Sequence, residues 1–502
     1  MKSALLMRRN AERARLSDVP LVSMASFRNA ILDAVAAECR VASCFARETG
    51  SGIELVAVLA EDAAGELGLI RTLVEGDSFP SLTPECPQMH LFEREIAEQY
   101  GIVPMGHPWL KPVRFHRSLR AGHEVFGAPV PGVTDFFRVD GDEVHEVAVG
   151  PVHAGVIEPG HFRFQCHGEQ VFHLEIALGY QHRGIERALL GGPTPKTVFY
   201  METAAGDTTI GHTLAWAQLV ESLTGTKVPA RAHALRGIAL ELERLANHAG
   251  DLGALSGDVA YLPTASYCGR TRGDFLNLTA ELCGSRFGRG LVRPGGVQFD
   301  LETERIGELA DRLEAATRDT VDAARLLWAA PSVIERFEGT GAVAPEACDE
   351  IGMVGVAARA CGRGSDVRHD FPFGIYRFVH IPVMTAHHGD VNSRAMVRFL
   401  EIQRSADFIS RQLRALPATP VRAAVGGAIA PDSIVVSLTE GWRGEICHVA
   451  ITDEAGRFAR YKITDPSFHN WFGLALALRD GQISDFPLCN KSFNLSYCGH
   501  DL

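Results

Sequence analysis

No two of the eleven cysteines, at positions 39, 44, 86, 166, 268, 283, 348, 361, 447, 489 and 498, stand three residues apart. The Cys-x-x-Cys spacing that turns two soft thiolates towards one metal is therefore missing. An odd count in a long chain without a secretory leader reads as buried free thiols, not as a disulfide framework. Also missing is an uninterrupted apolar run of the roughly 20 residues a bilayer span needs, and Met1-Lys2-Ser3-Ala4-Leu5-Leu6-Met7-Arg8-Arg9 holds too short an apolar stretch for a signal peptide. A cytoplasmic chain is expected, one that can still dock on a membrane assembly. Clustered Lys and Arg are absent as well: the formal charge is −12, which excludes nucleic acid as the main partner. There is no internal repeat and no low-complexity tract.

What is present is a folded-protein balance, 46% hydrophobic against 22% charged residues, over a length of 502 that suits two to four domains. Residues 1 to about 75 mix a helical patch, Phe27 to Cys39, with β-rich runs at Gly52–Ala60 and Leu67–Val74, predicting a small α+β domain. Leu91–Ile102 reads as a helix closed by Gly101, followed by a Gly106-His107-Pro108 turn. Residues 109–148 are rich in Pro, Gly and charge, and a linker is expected over 121–148. A second domain then occupies 149–502. Its spacing predicts helices over Val171–Leu190, Ile210–Leu223, Arg231–Leu255, Arg305–Ala330 and Ala395–Leu416, hence a mostly helical bundle. Peripheral strands are expected at Ser433–Leu438 and Glu445–Ile451 around a Gly441-Trp442-Arg443-Gly444 turn. The fold class is α+β, with domain boundaries at 1–120 and 149–502.

Residues 150 to 212 carry more His, Arg and Glu on apolar frames than a core needs: Gly150-Pro151-Val152-His153, Glu158-Pro159-Gly160-His161-Phe162-Arg163, Leu178 to Glu186, and Asp207 to His212. On a helix His182 and Glu186 would share a face. A working cleft is expected here.

Two stretches tie these patterns to known families. Residues 91 to 108, with their Glu-Arg-Glu helix, Gly-Ile turn and Gly-His-Pro, resemble the signature of the 30 kDa-type subunit of respiratory complex I, a docking module that binds no cofactor. Residues 150 to 502 resemble the large subunit of energy-converting nickel-iron hydrogenases and the homologous 49 kDa-type subunit of complex I, through Gly150–His153, Glu158–Arg163, Leu178–Glu186, Glu241–His248, Trp442–Glu445 and Ile463–Phe468. Fusion of the two modules is the arrangement of hydrogenase-4-type and formate-hydrogenlyase-type subunits.

The resemblance implies a place for nickel and shows that its ligands are gone. Where active members carry two thiolate pairs, this chain has Ala205 and Thr208 in the first and Ser496 and Gly499 in the second, with Cys498 one residue out of step. A standard nickel-iron centre is not expected. The places that contact quinone in complex I fall at or beside Pro159 and near Gly206, leaving His153, His161, Tyr200 and His212 as the residues that could face a quinone. Glu158 matches the hydrogenases' proton-gate glutamate and Arg443 the arginine over their metal. With His182, Arg183 and Asp207 they form the expected catalytic frame, in which a Glu beside an Arg serves either proton transfer or a structural ion pair.

The implied function is a subunit of a membrane-bound oxidoreductase complex, peripheral on the cytoplasmic face of the inner membrane. It would take electrons from an iron-sulfur small subunit and signal to antiporter-like and other membrane subunits. The cluster would belong to the partner chain, and this chain would carry no cofactor of its own. The alternatives are a non-catalytic scaffold or a quinone-reducing, NADH dehydrogenase-like subunit.

Overall fold

The computed structural model describes residues 4–127, 129–153 and 157–502. The first three residues of the apolar start, Ala128 of the linker and residues 154–156 of the His-rich stretch lie outside that set.

The N-terminal sheet runs in the order Leu6–Arg8, Glu66–Leu73, Gly52–Glu61, Arg40–Thr49, with Leu21–Val22 added in parallel to Glu66–Leu73. Its central run, Leu55 to Ala60, has no polar alternation because both faces are covered. Leu55, Ala57 and Leu59 pack under the helices Met24–Ala36 and His90–Tyr100, while Val56, Val58 and Ala60 belong to the core shared with the second domain. The helix His90–Tyr100 ends where expected, with Gly101 left-handed at φ 68°. A Cβ there would strike the His123 carbonyl, so only glycine fits.

The second domain is built on long helices: Thr209–Thr224, Ala230–Asp258, Leu262–Cys283, Ile306–Trp328 and Val391–Arg414. The third of these escaped the sequence pattern. Its buried residues are Thr264, Cys268, Thr271, Phe275, Leu276, Leu278, Thr279 and Leu282, and Thr264 donates to the Ala323 carbonyl of the helix Ile306–Trp328 at 2.7 Å. A stripe half made of Thr and Cys hides its period from a count of aliphatic residues.

The expected helix Val171–Leu190 is a correction. Residues Gln170–Ala177 form a strand antiparallel to His161–His167, which in turn pairs with Val144–Val149 inside the end of the expected linker. The apolar spacing fitted a helix, but Gly179 and Gly184 take positive φ of 95° and 67°, and the chain turns before a short helix at Ile185–Ala188. His182 and Glu186 therefore share no helix face.

The C-terminal sheet runs Phe458–Thr464, Glu445–Thr452, Ser433–Glu440, and is completed by Ala14–Arg15 from the chain's start. No helix is long and apolar enough to cross a membrane among the described residues.

Candidate functional site

The loop 203–208 and the C-terminal turn 494–501 face each other across the cleft. Both belong to segments anchored elsewhere: the loop precedes the helix Thr209–Thr224, and the turn follows the helix Phe486–Phe493, whose last turn Asn494 ends in a left-handed conformation. Arg183 fastens them together, donating to the carbonyls of Thr203 at 2.6 Å, Ala204 at 2.8 Å and Cys498 at 3.0 Å.

Arg443 fills the space between. Its guanidinium grips Asp207 with two bonds, 2.6 and 2.8 Å, and also donates to the Asn494 carbonyl at 2.5 Å and to Thr208 Oγ1 at 3.3 Å. It lies 3.9 Å from the Trp442 ring centroid, whose indole N–H donates to the Asp207 carbonyl at 3.0 Å. Burial would raise the Asp207 carboxyl, but the Arg443 cation outweighs it and holds the group below the usual carboxylate range. Arg443 is thus paired with Asp207, not with Glu158. Glu158 sits on the opposite rim, half-buried, accepting the Tyr497 N–H at 3.2 Å. The Cys498 thiol, pushed up to about 11 by burial and then by Glu158, lies between Glu158 and the Gly206 N–H.

The expected ligand positions do come together here, and their chemistry is wrong for nickel. Ala205 offers no donor. Thr208 donates its hydroxyl to Asp207 at 3.1 Å, and Ser496 accepts the Gly499 N–H at 2.9 Å. A Cβ added at Gly499 would come within 2.7 Å of the Asp465 carboxylate. One out-of-step thiol cannot replace four bridging and terminal thiolates. A nickel-iron centre does not fit this cleft.

The remaining candidates divide. His212 is fully buried, bonded through Nε2 to Asp465 at 3.0 Å and through Nδ1 to His448 at 3.0 Å, and His448 in turn meets the Tyr461 hydroxyl at 2.9 Å. His182 lies in the turn, held by the Asp501 carbonyl at 2.8 Å and stacked on His116, with burial pushing its imidazole down to about 4. His153 and His161 are spent on the backbone, bonded to the carbonyls of Gly160 at 2.9 Å and Gly150 at 3.3 Å. Tyr200 packs half-buried against the main core.

Three participants were not singled out from the sequence. Asp465 caps the helix Pro466–Ala477 and faces the cleft, and the Asp-Pro pair marked it as a helix start. Asp501 receives the N–H groups of Gly179 at 2.8 Å and Gln181 at 2.9 Å. Glu243, inside the Glu-Leu-Glu-Arg run, accepts the first N–H groups of the helix Thr209–Thr224, from Ile210 at 2.7 Å and Gly211 at 3.2 Å, and burial pushes it up to about 8. Glu243 and Asp207 line one narrow crevice, together with Asn247 and Arg286.

Fold and site together define a large subunit of the hydrogenase and complex I class, preceded by a 30 kDa-type module. Residues 27–124 match the family model of the respiratory-chain NADH dehydrogenase 30 Kd subunit and residues 258–433 that of the 49 Kd subunit. The chain belongs to this family of complex I-type and hydrogenase-type large subunits. It is similar to the carbon monoxide-induced hydrogenase of Rhodospirillum rubrum, 31% identical over 354 residues that cover 70% of this chain and 97% of that one. It is similar also to hydrogenase-4 component G of Escherichia coli, 29% identical over 86% of this chain and 77% of that one, and to NADH-quinone oxidoreductase subunit 4 of Thermus thermophilus, 30% identical over 68% and 90%.

Proposed function

We propose that this hydrogenase-like, complex I-type subunit works in a membrane-bound oxidoreductase complex, on the cytoplasmic face of the inner membrane. Electrons come from an iron-sulfur partner subunit, and their transfer is coupled to ion movement by antiporter-like membrane subunits. The cleft keeps the family's electrostatic and proton-handling frame and has lost hydrogen activation. The observation that carries this reading is the bidentate Arg443–Asp207 pair seated in the loop of the first missing thiolate pair. Glu158, beside the Cys498 thiol, and Glu243, which holds a proton at neutral pH, are the groups that would exchange protons with it.

The test uses the intact complex. Elemental analysis should find no stoichiometric nickel, and hydrogen-dependent dye reduction should be absent. Electron transfer from reduced ferredoxin or NADH should fall at least tenfold in the Arg443→Met, Glu158→Gln double variant while the subunits still co-purify. Full activity in that assembled variant would convert the reading into the scaffold alternative, and stoichiometric nickel would overturn it.

A further inference from the structure

The helix Thr209–Thr224 starts at the cleft and ends, about 24 Å further along its axis, at the wall of a separate cavity of about 420 Å³. The end of that helix and the loop behind it form one side. The start of the helix Ala230–Asp258, the turn Gly374–Arg377 and Ala11 form the rest. The volume is that of a small-molecule site, but the lining is chiefly polar and, among the described residues, includes no Phe, Tyr or Trp. An apolar ligand would gain little here, and a flat base would find no ring to stack on.

The polar groups say what would fit instead. Gln218 is only 7% exposed and lines the cavity, yet its Nε2 has no hydrogen-bond partner in the protein. A buried amide in this state is unfavourable unless another molecule satisfies it. Lys227 and Arg377 are exposed and form no ion pair among the described residues; Arg377 donates only Nε, to the Pro372 carbonyl at 3.3 Å. The one carboxylate in the lining, Glu221, is already spent: it accepts two bonds from Arg236, at 2.5 and 3.2 Å, and the Gly295 N–H at 2.8 Å. His233 adds no charge, because burial, and then Arg236 and Arg377, push its imidazole down to about 4, which leaves it one donor and one acceptor at neutral pH. The positive charges of Lys227 and Arg377 are therefore unopposed. A phosphate suits two such cations on separate elements, since its oxygens can meet a Lys point charge and an Arg fork together. The uncharged donors and acceptors of Gln218 and His233 suit hydroxyl groups.

We propose that this cavity binds a sugar phosphate, its phosphate held by Lys227 and Arg377 and its hydroxyl groups by Gln218 and His233. The site is independent of the cleft and of the function proposed for it.

Titration calorimetry of the full chain with glucose 6-phosphate, fructose 6-phosphate and ribose 5-phosphate tests this. Saturable binding of at least one is expected. Binding should be at least tenfold weaker for the parent sugar, which lacks the charge, and for inorganic phosphate, which lacks the hydroxyl groups. Lys227→Met changes an exposed side chain, and Gln218→Leu removes an amide whose Nε2 has no bond within the fold; each should weaken the sugar phosphate at least tenfold. Saturable binding of none of the three, equal binding of the parent sugar or inorganic phosphate, or undiminished binding by either folded variant would overturn the proposal. So would capture of a poly-glutamate peptide in place of every sugar phosphate, which would make this surface a docking face for an acidic protein segment.

Discussion

Arg443 and Asp207 show how much a cleft can change while its outline persists. Arg443 is buried and Asp207 remains 37% exposed at its side chain, so water screens part of the attraction. Asp207→Asn is therefore expected to lower stability by about 1–3 kcal/mol, less than the loss of a fully buried partner. The Asp207 carboxyl is held below its ordinary value of 3.8, so the pair stabilises the fold above that value and the contribution is lost as pH falls below it. Urea midpoints for the two proteins should differ at pH 7 and draw together as the pH falls below 3.8; a difference undiminished in acid would deny the ion pair its role. Gly499 is the second informative residue. Gly499→Ala introduces only a Cβ, yet that atom would press on the Asp465 carboxylate, and overpacking of this kind costs roughly 1–3 kcal/mol. A melting temperature unchanged by the substitution would mean that Asp465 can move aside and that the ligand position is not closed.

At the scale of the element, the helix Thr209–Thr224 is held at its start by a carboxyl from another helix. Glu243 replaces a local N-cap, since Thr208 makes no capping bond of its own. Its proton is retained in the folded state up to about 8, whereas an unfolded glutamate releases it near 4.5. Folding therefore takes up a proton across that interval, and stability should fall as pH rises from 4.5 towards 8. Glu243→Gln removes the titration while keeping one acceptor for the helix start. Thermal unfolding of the variant should lose ground to the wild type least at pH 9 and most at pH 6; parallel curves at both would sink the assignment. The strand Gln170–Ala177 is the counter-example among elements. Val171, Leu174 and Leu178 fit a helical spacing, but Gly179 and Gly184 stop a helix and the neighbouring strand His161–His167 supplies the backbone partners. Local pattern pointed to a helix, and the partner strand overruled it.

At the scale of the molecule, the 30 kDa-type module is welded to the large domain through buried charge. Lys462, fully buried, bonds Glu95 of the module at 2.6 Å and Glu186 at 3.1 Å, while Glu186 also takes Arg460 at 2.8 Å and Glu95 takes Arg114. Removing Lys462 would leave two carboxylates facing each other without their shared cation. Lys462→Met should cost about 3–5 kcal/mol and expose the segment 109–143 to limited proteolysis. Unchanged protease resistance would show that the apolar seam alone holds the two parts together.

Much of this molecule could be read from its residues. The periods of the long helices, the unbroken apolar run at Leu55–Ala60, the glycine closing the helix His90–Tyr100 and the missing thiolates at 205, 208, 496 and 499 depend only on local spacing and on side-chain chemistry, which no packing can alter. What occupies the place of the metal could not be read there. Asp207 and Arg443 are 236 residues apart, and His212 and Asp465 are 253 apart. Which of several acids meets a given arginine, and which glutamate is left buried with its proton, follows from how distant segments pack and how far they exclude water. Only the tertiary structure decides that.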